Sequence, residues 1–224
     1  MTIKYDNNFL NRSCVLDIPH FEGTGTDFHD VSKQHNHGSA IGAGWSKLAT
    51  DVWTSTYGGD ADRIIFPLVS IVSGKCTVLV WWKRAGDSGG PSSSTYHTLF
   101  TAINGYSSNG VLVNKAGTEL RCTLRIDGAD VTVTMPCSAS AWNLVGLVWD
   151  AANLYPVVNG VKGIPAAAVG ALSADANFTM SGRYTTANYY YANGSMYRHR
   201  ILDDALNDTE LMMIFNAEKG RFEL

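Results

Sequence analysis

The sequence predicts an all-β fold: two antiparallel sheets packed face to face, with one short helix at the C-terminus. Three observations predict it. Short apolar runs recur at regular spacing, Tyr96 to Ile103, Gly110 to Asn114, Leu120 to Ile126 and Val131 to Met135. The pairs Asn104-Gly105, Ala116-Gly117 and Asp127-Gly128 punctuate them as tight turns, which is the rhythm of a sandwich. Glycine (22), tyrosine (10) and tryptophan (6) are plentiful, and that usage favours strands and turns over helices. Finally, the run Trp142 to Asp150 is apolar on both parities, so this strand must be covered on both faces and belongs inside a sheet.

That run organises the rest. Asp150-Ala-Ala-Asn153 supplies a polar turn into Leu154 to Val158, and Asn159-Gly160 supplies a second tight turn into a further strand at Val161. Trp142, Leu144, Val148 and Val157, or their opposite-parity neighbours, are expected in the core. A chain of 224 residues that is 45% hydrophobic can bury a full core, and one domain over residues 1–224 is expected. The formal net charge is -3 and comes without a basic run, so neither nucleic acid nor a membrane surface is an expected partner. The first residues lack an apolar core with a cleavage site, and no stretch is long and apolar enough to span a bilayer. No signal peptide and no transmembrane segment are therefore expected. Cys14, Cys76, Cys122 and Cys137 stand far apart without paired metal or redox spacing and read as free thiols.

In chain order, Asp27 to Ala40 is dense in Asp, Ser, Asn and Gly and reads as a compact surface loop. Its His29, His35 and His37 are read as turn formers rather than metal ligands. Tyr57 to Pro67 carries Asp60 and Asp62, two acids two residues apart. They are the candidate ligands for calcium, which needs six or more oxygens. Lys75 to Lys83 is a strand in which Trp81 and Trp82 must point to opposite faces. One is core, and the other is covered by loops, serves as a ligand platform or meets another chain; Trp81 enters the candidate ligand-binding set on that ground. Asp87 to Ser94 reads as a hairpin tip, and Pro165 to Leu172 as small and flexible. Tyr184, Tyr189, Tyr190 and Tyr191 are the strongest candidates for binding, because sugar faces stack on aromatic rings. Near the end, Asn207 can cap a helix reciprocally with Glu210, Leu211, Ile214 and Phe215 form its apolar stripe, and Gly220 can end it.

Five of these stretches carry a resemblance. Asp30-Val-Ser32 with Asn36-His37-Gly38, the Gly-Gly-Asp60-Ala-Asp62 element, the strand ending in Trp81-Trp82, the Trp142-to-Gly160 hairpin, and Asn193 to Leu211 follow in the order found in laminin-G-like domains of the concanavalin A-like jelly-roll superfamily. The chain resembles that family over about residues 14 to 217, leaving a short N-terminal arm, 1–13. The resemblance implies a two-sheet jelly roll and a lectin-like binding side.

Catalytic chemistry is missing from the pattern. No strand carries the paired acids of a glycoside hydrolase, and no Gly-x-Ser-x-Gly elbow, phosphate loop or Cys/His pair is present. The expectation is a non-enzymatic binding or structural module without a catalytic residue. Its first form is a virion-associated domain decorating a phage capsid or attaching to a tail, displayed at the virion surface and held by a protein partner or by copies of itself. The second is a lectin for a surface glycan, with or without calcium, and the third a glycan-active hydrolase. No cofactor other than calcium is expected.

Overall fold

A computed structural model describes residues 13–49, 52–58, 62–67, 71, 74–84, 96–101, 110–138, 140–170, 172, 179–180, 182–184 and 189–222. In chain order the strands are β1 (Cys14–Ile18), β2 (Asp27–Phe28), β3 (Gly38–Ile41), β4 (Gly44–Ala49), β5 (Val52–Gly58), β6 (Arg63–Ile65), β7 (Cys76–Arg84), β8 (Tyr96–Thr101), β9 (Gly110–Ala116) and β10 (Glu119–Ile126). They continue as β11 (Ala129–Pro136), β12 (Asn143–Trp149), β13 (Asn153–Val158), β14 (Val161–Lys162), β15 (Ala166–Ala167), β16 (Thr179–Met180), β17 (Gly182–Tyr184), β18 (Tyr189–Tyr191) and β19 (Asn193–Leu202). A helix, α1 (Asp208–Glu218), runs into a 3-10 turn, η1 (Lys219–Phe222).

The first sheet has the order β14-β13-β12-β7-β19-β5-β4, with β1 added to β19 and β15 to β13. The second has the order β11-β10-β9-β8-β16-β6-β3-β2, and β17-β18 form a separate hairpin. Every ladder pairing is antiparallel, as the sandwich reading requires.

The anticipated hairpin forms in the anticipated register, with Val148 opposite Tyr155 and Val145 opposite Val158. Its first turn is held by the Asp150 carboxylate, which accepts from the Ala152 and Asn153 amides at 2.9 and 2.7 Å. Its second has Asn159 and Gly160 at φ 53° and 82°, the left-handed pair of a type I′ turn. All of β12 is buried, and its two faces meet different clusters. Val145, Leu147 and Trp149 join Val78, Val80 and Trp82 in the core between the sheets. Leu144 and Val148 join Leu79, Trp81 and Val157 in a second core on the outer face, beneath α1. Gly146 lets β12 lie close to β7, since a Cβ there would collide with the Val78 carbonyl.

The helix begins as expected. The Asn207 side chain accepts from the Glu210 amide at 3.0 Å, and the Glu210 carboxylate accepts from the Asn207 amide at 2.8 Å, a complete capping box. Its end differs. Gly220 does not stop it; the chain tightens through Lys219 into η1, which delivers Phe222 onto the Trp81 and Trp142 rings at centroid distances of 4.3 and 4.7 Å. The segment from Pro165 to Leu172 is likewise more structured than its composition suggests. Ala166 and Ala167 pair with β13, Ala168 is buried, and its carbonyl accepts from Trp149 Nε1 at 2.8 Å.

All four cysteines are free. Burial pushes the Cys14 and Cys76 thiols up to about 12 and raises that of Cys122 further, so none of these three is a reactive thiolate at neutral pH. Alkylation without reductant is expected to modify four thiols in denaturant, while Cys76 and Cys122 stay protected in the folded protein. Recovery of only two modified thiols, or none, would reveal a disulfide.

Candidate functional site

Strand β19 brings the two ends of the chain together. Its first half pairs with β5 and its second with β1, while β7 runs along its other side. A register shift between Tyr197 and His199 leaves Arg198 as a bulge at φ 45°, and a bulge flips the parity of the residues beyond it. Met196 and Ile201 therefore point into the core between the sheets, while Tyr197 and Leu202 belong to the core under the helix. The bulge also aims Arg198 and Arg200 the same way. Arg198 grips the Asp17 carboxylate with two nitrogens at 3.0 and 2.9 Å and reaches Glu218 Oε1 at 3.1 Å. Arg200 donates to the same Glu218 oxygen, and Trp81 Nε1 donates to the other at 2.8 Å. Burial works to raise both carboxyls, but the guanidiniums outweigh it and hold Asp17 and Glu218 below the usual carboxylate range.

This network corrects the reading of Trp81. The ring is 0% exposed, stacked against Phe215 and Phe222 and hydrogen-bonded to Glu218, so it has no face to offer a ligand. The helix of its own chain covers it.

The Asp27-to-Ala40 segment is compact, as its composition predicts, and is tied down from within. Asp30 is buried, and its carboxylate accepts from the amides of Asp17, Ser32 and Asn36 and from the Ser32 hydroxyl, all within 2.8 Å. Asn36 Nδ2 donates to the Val15 carbonyl at 2.9 Å. Asp30, Ser32 and Asn36 are thus loop organisers, and fold is what that motif encodes. His29 pairs with Glu22 at 2.9 Å, and His37 Nδ1 accepts from the Asp30 amide at 3.1 Å. Among the described residues no group of three or more His, Cys, Asp or Glu side chains is placed to hold a metal.

The calcium candidates are divided. Asp60 lies outside the described residues. Asp62 Oδ2 accepts from the Gly58 amide at 2.7 Å. The tyrosine segment forms β17 and β18, with Tyr184 opposite Tyr189 and Tyr190 opposite Arg183; the side chains of Tyr184, Tyr189, Tyr190 and Tyr191 lie outside the described residues. The backbone leads from Tyr191 directly into β19 at Asn193.

Just past that entry, the outer face of the first sheet opens where the helix cover ends. A cleft of about 180 Å³ is lined by Ser46, Lys47, Leu48, Thr54, Lys83, Arg84, Trp142 and Ser195. Register builds its floor. Lys83 pairs with Ser195, Ser195 with Thr56, and Thr54 with Ser46, so four neighbouring strands each contribute. Lys83 lies two residues beyond Trp81 and shares its face. Trp142 stands one residue ahead of the Asn143–Trp82 pair, walling the cleft at the level of Lys83 while its ring packs on Phe222. The Thr54 hydroxyl donates to the Ser46 carbonyl at 3.2 Å, and Lys47 Nζ sits 5.7 Å over the Trp53 ring. Neither acid pair nor nucleophile lines the cleft, so its chemistry is hydrogen bonding and charge.

Apart from Trp142, none of the cleft residues stands out in the sequence. Ser46, Lys47 and Thr54 lie on β4 and β5, which no apolar alternation marks clearly. The available signal was parity: a strand with Trp81 on one face must place Lys83 on that face too.

A second feature lies beside the bulge. His20 and His199 are both 1% exposed, with ring centroids 5.3 Å apart. His20 Nδ1 lies 3.1 Å from the Met196 carbonyl, so it donates, and His199 Nε2 lies 3.4 Å from Met196 Sδ. Burial lowers His20 to about 3, and burial with the neighbouring His20 holds His199 well below its ordinary value. Both rings are neutral at physiological pH.

Comparison with known proteins agrees with the fold. Residues 58–212 match a family model described as the concanavalin A-like lectin/glucanases superfamily. No curated protein matches the chain in sequence. Among solved structures, the binding domain of Paraclostridial Mosquitocidal Protein 1 is similar at a TM-score of 0.72 and 13% identity, over 93% of this chain and 53% of that one. The binding domain of botulinum neurotoxin DC in complex with rat synaptotagmin II gives 0.72, 13%, 93% and 52%. The ligand-binding domain of botulinum neurotoxin serotype D in complex with N-acetylneuraminic acid gives 0.72, 12%, 93% and 52%. At these identities the likeness is one of fold, and the chain spans about half the length of each structure.

Proposed function

We propose that this chain, which belongs to the concanavalin A-like lectin/glucanases superfamily through residues 58–212, is a non-enzymatic binding module that takes a carbohydrate in the cleft between Lys83, Trp142 and Ser195. The observation that carries this reading is the cleft itself, an uncovered stretch of sheet face that combines hydroxyls, cations and an indole wall without an acid and base pair. Its volume is below the ~300–1,000 Å³ of pockets for drug-sized ligands, so it suits one residue of a longer glycan. The structural neighbours whose names describe binding, one to a sialic acid and one to a protein receptor, support a binding role over a catalytic one. Calcium at Asp60 and Asp62, and stacking on Tyr184, Tyr189, Tyr190 and Tyr191, belong to the same proposal as separate contacts. A glycan array probed with the protein in calcium and again in chelator is the test. Retention of a defined glycan class, lost on Ser195→Trp and accompanied by no glycan cleavage, is expected. Retention of none removes the lectin reading, and product formation makes the protein an enzyme.

A protein partner is the second reading, favoured by two exposed apolar side chains five residues apart: Ile164 is 85% and Val169 78% exposed. In its finer form the partner is a phage capsid or tail protein, or a second copy of this chain. Co-sedimentation with assembled particles would support the first, a dimer by sedimentation velocity the second, and a monomer that co-sediments with nothing would end both.

A further inference from the structure

We infer that the cleft recognises a negatively charged ligand, the carboxylate or sulfate of an acidic sugar, and not a neutral ring; this rests on the reading of the cleft as the glycan site.

The sign of the charge is the first argument. The chain carries 17 Lys and Arg against 20 Asp and Glu, so an average patch of its surface is slightly acidic. This one reverses the balance: Lys83 stands on its floor, Lys47 and Arg84 border it from positions of the opposite parity, and no Asp or Glu lines it. Among the described residues no carboxylate pairs with Lys47 or Lys83. By contrast, the buried Arg198 and Arg200 share Asp17 and Glu218, and the surface Lys162 reaches Asp208 at 3.4 Å.

Position is the second argument. Lysine on an edge strand protects the edge from pairing with another chain, which accounts for Lys47 on β4, the last strand of its sheet. It does not account for Lys83 and Arg84. Both lie on β7, three strands in from that edge, where Lys83 pairs with Ser195 and Arg84 with Gly194 of β19. The outer face of β7 is apolar at Leu79 and Trp81, under the helix, and turns cationic at Lys83, where the cover stops.

Hydrogen-bonding capacity is the third. Ammonium groups only donate, so Lys83 brings charged donors to the cleft, while the Thr54 hydroxyl, its proton given to the Ser46 carbonyl, can only accept. A carboxylate or sulfate accepts only, and charge-assisted bonds to it are roughly twice as strong as neutral ones.

The experiment uses the whole protein and three oligosaccharides: 3′-sialyllactose for the carboxylate, a sulfated lactose for the sulfate, and lactose as the neutral control. Titration calorimetry is run at low and at physiological salt, and sodium sulfate is added separately while amide and indole resonances are followed by NMR. The variants are Lys83→Glu, Lys47→Glu and, as a control for net charge on a distant exposed loop, Lys33→Glu. One or both acidic sugars are expected to bind at least tenfold more tightly than lactose and to weaken as salt rises. Binding should fall tenfold or more in Lys83→Glu and stay unchanged in Lys33→Glu, with sulfate shifting the Lys83 and Ser195 amides. Lactose binding as tightly as the acidic sugars, without salt dependence and with Lys83→Glu unaffected, overturns the inference and leaves the lectin reading standing. No binding of any sugar while sulfate still shifts the cleft resonances removes the lectin reading and keeps the anion site. Neither sugar nor sulfate reaching the cleft removes both.

Discussion

Replacing Glu218 with alanine is expected to destabilise the protein by about 3–5 kcal/mol, the usual cost of breaking a buried ion pair from one side. For a chain of this length that corresponds to a melting temperature lower by roughly 6–20 °C. Glu218 is 1% exposed and satisfies Arg200, Arg198 and the Trp81 indole together. Its removal leaves Arg200, 2% exposed, without its principal counter-charge and leaves the indole N–H without an acceptor. Desolvation of the orphaned guanidinium dominates the loss, because a buried unpaired charge costs far more than one hydrogen bond. Glu218→Gln separates the two effects, since it keeps an acceptor for Trp81 and removes only the charge. Thermal melts by circular dichroism measure both variants. An alanine variant that melts like the parent would show that Glu218 is not the clamp between the helix and β19.

The second large effect is on pH. His20 and His199 are neutral when folded and have ordinary values when unfolded. Below about pH 6.5 the unfolded chain therefore binds protons that the folded chain refuses, and stability falls as pH falls. Each ring contributes a slope that approaches about 1.4 kcal/mol per pH unit, so His20 alone removes roughly 2 kcal/mol between pH 6.5 and 4.5, and His199 acts in the same direction. For His20 the loss continues until the pH approaches its folded value of about 3. The Asp17 charge works in the opposite direction on the proton affinity of His20, but burial is the larger influence. The lowered carboxyls of Asp17 and Glu218 act in a separate window. Their stabilisation is present above the unfolded carboxylate range and is lost as pH falls below about 4. Urea unfolding at half-unit steps reads the slope directly. The double variant His20→Phe/His199→Leu is expected to flatten it between pH 6.5 and 4.5 while retaining the acid transition below 4. An unchanged slope would show that other groups carry the acid sensitivity.

What could be read from the sequence is what depends on neighbours along the chain. Alternation through Trp142 to Asp150 identified a strand covered on both faces, and β12 is that strand. Asn159-Gly160 and Asp127-Gly128 marked turns whose positive φ the structure contains, and Asn207 with Glu210 marked the helix start by a contact three residues long. Trp81 and Trp82 had to point apart. None of these inferences requires knowing where the chain goes next.

Tertiary structure alone decided what covers each face. Glu218, an isolated acid on a final helix by sequence, becomes the partner of Trp81, 137 residues earlier, because the helix folds back over the outer face. The parity flip at Arg198 has no local signature, since a bulge is set by competition between β1, β5 and β7 for the two sides of β19. The cleft has the same origin. The chain has no basic run, yet Lys83 of β7 and Ser46, Lys47 and Thr54 of β4 and β5 line one cleft because β7 and β5, distant in sequence, both pair with β19. Periodicity gives each side chain a face, but its neighbours on that face come from the order and register of strands, and those are set by the packing of the whole core.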